Sequence, residues 1–125
     1  MDGMRRTLAV DLDGTAAINN GKMGIQIGKR APGALTTLRA FRKAGWQILI
    51  HTVRPDEWVV KYWCDKNLPG IVDGINCNPE DVATTGIETP KPYADVYLDD
   101  KAWPIVGQPF KWAAFRKSAK TRGWI

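Results

Sequence analysis

The chain has 125 residues, 44% of them hydrophobic, and a formal charge of +5. That length predicts one domain, 1–125, with a real core and no separate lid domain. No apolar run approaches a membrane span, so a membrane partner is excluded from the expectations. The opening MDGMRRTLAV is too short and too interrupted for a secretory signal.

Cys64 and Cys77 have neither metal-ligand spacing nor a disulfide framework around them. A reducing, cytoplasmic location is the expectation. The positive charge suits a phosphorylated or polyanionic partner without proving one. The segment Lys111 to Arg122 is the one notably one-signed stretch.

Arg6 to Val10 read as a first strand that runs into Asp11-Leu12-Asp13-Gly14-Thr15. Ala16 to Arg30 read as a small flap or irregular hairpin. Asn19-Asn20-Gly21 is its turn, with Ile18 and Ile25 or Ile27 on the arms. Pro32 opens a helix to about Ala44, with Leu35, Leu38 and Phe41 as its buried stripe and Gly45 as its stop. Trp46 to Ile50 form a nearly continuous apolar strand, as in a parallel sheet covered on both faces. A second helix starts near Pro55 and is broken by Asn67 to Gly70.

Ile71 to Ile75 predict a short strand bent at Asp73-Gly74, and Asn76 to Pro90 predict a loop. Asp95 to Leu98 predict another strand, ending on Asp99-Asp100; Ile105 and Val106 suggest a last short one. Gln108 to Lys120 predict the final helix, with Phe110, Ala113 or Ala114, and Phe115 toward the core. Strands alternating with helices argue for βα units and a parallel sheet. Sites in such sheets collect beyond the C-terminal strand ends, where both acidic pairs fall.

Asp11 can act as a nucleophile toward phosphorus, and Asp13 as a general acid and base. The plain alternative is a solvated Asp-Gly turn. Two like charges this close call for a cation or a raised pKa. Asp99 and Asp100 could join Asp11 around a hard cation such as Mg²⁺, which prefers oxygen ligands; Asp100 could instead cap a turn. Thr52 offers a hydroxyl and an N–H to a phosphoryl oxygen, or caps the following helix. Lys91 could neutralise phosphoryl charge, although a lone lysine is usually just solvated.

Arg54 is a phosphate contact or a helix-surface residue. His51, the sole histidine, is a poor transition-metal signal and a candidate substrate contact. Gly14 at the bend releases backbone N–H groups toward a ligand, together with Thr15. Cys64 reads as core. Six tryptophans are many for this length. Trp46, Trp58 and Trp63 are expected against the sheet, Trp103 at the pocket, and Trp112 and Trp124 on the last helix.

These residues resemble the motifs of the haloacid-dehalogenase-like (HAD) phosphatases. Asp11-Leu12-Asp13-Gly14-Thr15 resembles the first motif, DxDGT. Thr52 after Ile48-Leu49-Ile50 stands at the second, Lys91 at the third, and Asp99-Asp100 at the acidic fourth. The segment Lys91 to Ala102 is similar to small, essentially capless members. His51-Thr52-Val53-Arg54-Pro55 departs from the family's Thr-Ser-Arg-Pro or Thr-Gly-Arg-Pro, with Val53 where a small polar residue often sits.

The resemblance implies a three-layer α/β/α Rossmann-like fold with a central parallel sheet and only a small flap. It implies Mg²⁺-dependent phosphomonoester hydrolysis, with Asp11 as nucleophile and Asp13 as general acid/base. Mg²⁺ would be held by Asp11, the backbone carbonyl of Asp13, and Asp99 and Asp100. Thr52 and Lys91 would hold the phosphoryl group. A capless site is open, so the expected substrate is a phosphate on a larger molecule, including a nucleotide or polynucleotide end. A second subunit is a candidate for completing the site. The alternatives are a phosphotransferase on the same intermediate, or a phosphate- or nucleic-acid-binding module without turnover.

Overall fold

The computed structural model describes residues 5–21, 26–80, 92–102 and 109–125. Four strands, β1 (Thr7–Asp11), β2 (Gln47–His51), β3 (Gly74–Ile75) and β4 (Val96–Leu98), form one parallel sheet in the order β3-β2-β1-β4. Three helices have described bounds: α1 (Ala34–Lys43), α2 (Glu57–Asn67) and α3 (Trp112–Thr121). The chain is therefore an α/β domain with a parallel sheet, as the alternation predicts. Ile105, Val106 and Trp103 lie outside the described residues.

The register explains the core. Leu8 pairs with Ile48 and Val10 with Ile50, so these four side chains share one face. They join Leu38 and Phe41 of α1, Val60 and Trp63 of α2, and Trp112 and Ala119 of α3 in one buried cluster. All three helices thus cover the same face. On the other face Ala9 and Leu49 meet Ala94. There Gln47 Nε2 donates to Thr7 Oγ1 at 3.2 Å and to Asn78 Oδ1 at 2.8 Å, both within the interior. A second helical layer on that face would have to come from the β3-to-β4 connection, of which 81–91 lie outside the described residues.

The helix ends follow local chemistry. After α1, Gly45 adopts φ 94°. Its N–H donates to Arg42 O and that of Trp46 to Phe41 O, each at 3.0 Å. This Schellman closure needs the left-handed residue that glycine supplies without steric cost. The final helix begins at Trp112, later than the expected Gln108. Its buried residues are Trp112 and Ala119, whereas Ala113 and Ala114 face solvent. Trp58 is also a correction: it is 68% exposed in the first turn of α2, while Trp46 and Trp63 are buried. Val59, Val60 and Trp63 form the inward stripe of α2 and turn Trp58 outward.

The expected flap is present in part. Ala17 bridges Arg30 in antiparallel fashion, and Ile18 N donates to Lys29 O at 2.8 Å. Asn19 Oδ1 accepts from Gly21 N at 2.8 Å, closing the start of the turn. Trp63 Nε1 donates to Gly28 O at 2.9 Å and pins the returning arm to α2. Ile27 packs on the core, and Ile25 lies outside the described residues.

Candidate metal centre

The acidic pairs at the ends of β1 and β4 come together. Pairing of Val10 with Leu98 sets the two strand ends side by side. One carboxylate oxygen each from Asp11, Asp99 and Asp100 lies within 4.8 Å of the others. Both acids at the end of β4 therefore reach toward the same point as Asp11. Asp100 is 4% exposed, and its Oδ1 is buried without a hydrogen-bond partner among the described residues. Asp99 Oδ1 accepts from Lys101 N at 2.8 Å, which orients its carboxylate.

Gly14 makes this approach feasible. It sits at φ 88°, and a Cβ there would overlap the Asp100 carboxylate. The loop around it is held by Gly14 N to Ala17 O at 2.8 Å and Ala16 N to Asp11 O at 3.1 Å. Trp112 Nε1 donates to Thr15 O at 2.8 Å and ties α3 to the same turn. Thr15 is fully buried, a wall of the loop more than an open contact.

Crowding shows in the chemistry of Asp11. Its pKa is raised from 3.8 to about 7. Burial is the main cause, followed by the charge of Asp99, a hydrogen bond and charge from Asp100, and the charge of Asp13. Oxygen-only donors, their converging charges and the orphaned Asp100 Oδ1 fit a hard divalent cation.

Asp13 has a different partner. Arg54 Nε donates to its Oδ2 at 2.8 Å and Arg54 Nη2 to its Oδ1 at 2.9 Å. The Asp13 carboxylate is not among the three converging acids. A metal contact from this residue would have to come from its backbone carbonyl. The Arg54 side chain is 2% exposed, and Nη2 also donates to Gln26 O of the flap at 3.2 Å. Pairing with Asp13 raises the Arg54 pKa further. Of the two readings of Arg54, the helix-surface one is corrected: the guanidinium is buried against the Asp13 carboxylate in the resting structure.

Thr52 lies at the end of β2, but its N–H donates to Asn76 Oδ1 at 2.8 Å. Asn76 Nδ2 donates back to Thr52 O at 3.0 Å, and Thr52 Oγ1 accepts from Arg54 N at 3.1 Å. Asn76, at φ 52°, is the residue that sequence reasoning missed. Its signal was an Asn directly after a short strand, a type that tolerates the left-handed region. His51 pairs in register with Asp11 and lies edge-on to Tyr97, ring centroids 6.4 Å apart. Lys91 lies outside the described residues.

A cavity of about 500 Å³ opens beside Asp100, the one acid of the cluster that lines it among the described residues. Gly14, Asp100, Lys101, Pro32, Pro109 and Phe110 contribute to its walls. With this geometry in place, comparison with known proteins bears on the fold. A solved structure described as a conserved protein from Bacteroides thetaiotaomicron superposes with a TM-score of 0.72. The match is 25% identical and covers 95% of this chain and 93% of that one. No family model and no curated protein matches the sequence.

Proposed function

We propose that this chain is a divalent-cation-dependent phosphomonoester hydrolase of the haloacid-dehalogenase-like type. The convergence of Asp11, Asp99 and Asp100 carries the reading, because the sequence motifs alone do not bring those acids together. Asp11, Asp99 and Asp100 would hold the ion, with Mg²⁺ the expected one. When bound, it would offset repulsion between the attacking carboxylate and the phosphoryl oxygens.

Asp11 attacks phosphorus in line, forming the aspartyl-phosphate as the ester P–O bond breaks. Asp13 gives a proton to the departing alkoxide oxygen. It then takes one from the water that attacks the intermediate and releases phosphate. Both Asp13 oxygens are engaged by Arg54 in the resting structure, so this work requires the pair to open. Arg54 thus acts as a positioning residue for the acid/base. Lys91 stays in the proposal as the phosphoryl-holding lysine, and Thr52 as a phosphoryl contact through its hydroxyl.

Among the described residues no helix is long and apolar enough to cross a membrane. Cys64 and Cys77 are free thiols, in keeping with a cytoplasmic location, which belongs to this proposal. The test is Mg²⁺-dependent phosphate release from nucleotides, phosphorylated oligonucleotides, sugar phosphates and phosphopeptides, beside an Asp11→Asn control. Release that vanishes in the control supports the assignment. Release that survives it overturns Asp11 as nucleophile. Phosphate appearing on an added alcohol, in place of water, would favour a phosphotransferase.

A further inference from the structure

We propose that the cleft between the start of α1 and the outer face of α3 binds the phosphate backbone of a nucleic-acid strand. The strand's terminal phosphate would occupy the acidic site, so this inference rests on the phosphatase reading. The cleft holds about 540 Å³, and its walls include Pro32, Gly33, Thr37, Arg116, Lys117 and Lys120. Among the described residues no carboxylate lines it.

Its positive charge has no counter-charge among the described residues. Arg116, Lys117 and Lys120 form no ion pair with a described residue. Arg116 Nε is buried with no hydrogen-bond partner among the described residues. No Asp or Glu follows Asp100 in the sequence, while Lys101, Lys111, Arg116, Lys117, Lys120 and Arg122 do. The first turn of α1 holds no acidic residue either, so its N-terminal end adds to the field.

Contiguity gives the cleft its meaning. Pro32 lines both this cleft and the cavity beside Asp100. The two spaces thus adjoin, with Pro32 as their shared wall. A single small monophosphate has one charged group and can satisfy only one of the two. A strand with a terminal phosphate and further backbone phosphates can satisfy both. Phe110 lines the first cavity, and an aromatic side chain beside a track of cations favours a nucleic acid over other polyanions.

The decisive comparison uses a fluorescent single-stranded oligonucleotide of about ten nucleotides bearing a terminal phosphate. Binding is read by anisotropy on the Asp11→Asn protein, where no turnover is needed. Arg116→Gln, Lys117→Gln and Lys120→Gln are combined in that background, and circular dichroism verifies the fold. The expected result is about tenfold weaker binding and a salt slope shallower by about two for three lost contacts. In the otherwise unaltered enzyme, the triple variant should cut the kcat/KM ratio of oligonucleotide over p-nitrophenyl phosphate about tenfold.

Unchanged affinity and slope in the folded triple variant would overturn the cleft. An acidic phosphopeptide bound as tightly, with the same dependence on the three cations, would overturn the nucleic-acid assignment. Salt-dependent binding lost in the triple variant, with no phosphate release from any substrate, would uphold the cleft and sink the phosphatase reading instead.

Discussion

Arg54 and Asp13, separated by 41 positions, meet through two parallel hydrogen bonds of 2.8 and 2.9 Å. The guanidinium is buried and the carboxylate is about one-quarter exposed. This fork fixes the orientation of the carboxylate that would move protons, and the same arginine holds Gln26 of the flap. One residue thus ties the first acidic loop, the end of β2 and the flap.

Replacing Arg54 by Met should therefore cost about 1–3 kcal/mol, because Asp13 keeps partial access to water when its partner goes. Urea unfolding measures it. Under the proposed mechanism phosphate release should fall through kcat more than KM, since Arg54 would act by positioning Asp13. Arg54→Lys should recover little, because an ammonium lacks the planar fork. A stability change within about 0.5 kcal/mol would contradict the buried pair.

Asp11 predicts an inverted pH dependence. Its folded pKa, about 7, lies above the unfolded 3.8. Between those values the folded state binds more protons than the unfolded one, so stability falls as pH rises through that window. With chelator present, Tm should be lower at pH 7.5 than at pH 5. Mg²⁺ should restore it at pH 7.5, where the cluster is charged, and do little at pH 5. Asp11→Asn should flatten the profile. A metal-free Tm that rises from pH 5 to 7.5 by way of Asp11 would refute the crowding.

Gly14→Ala tests the cradle. The added Cβ would overlap the Asp100 carboxylate, and φ 88° is strained for any side chain. The expected cost is about 1–3 kcal/mol from strain, with a loss of Mg²⁺ affinity measured by calorimetry. Intact Mg²⁺ binding in a folded Gly14→Ala protein would place the ion elsewhere.

Two tryptophans separate core from surface. Trp46 is buried against Phe41 and Trp124, and its Nε1 donates to Trp124 O at 3.1 Å. Trp46→Ala should cost about 3–5 kcal/mol. Trp58→Ala, at an exposed position, should stay within about 0.5 kcal/mol. Comparable losses in denaturant melts would show that the inward face of α2 is misassigned.

The alternation of strands with helices among the described residues and both acidic strand ends were legible because they are local. An apolar run followed by Asp-Leu-Asp-Gly states a strand, its end and its turn within a few residues. Helix α1 was equally readable from Leu35, Leu38, Phe41 and the stop at Gly45. Trp58 was misplaced because composition says aromatic, whereas burial depends on which face of α2 meets the sheet. Ala113 and Ala114 failed for the same reason: Trp112 and Ala119 claim the inward face of α3.

The sequence by itself determined which chemistry the chain carries: carboxylates at two strand ends, a permissive glycine between strand and flap, and a basic terminal helix. Tertiary structure alone decided who meets whom. The fold set Asp11 beside Asp99 and Asp100, placed Asn76 on Thr52, buried Arg54 against Asp13, and made Pro32 the wall between the cavity beside Asp100 and a basic cleft. Those pairings link residues tens of positions apart. They depend on crossovers and register, which no local pattern of residues encodes.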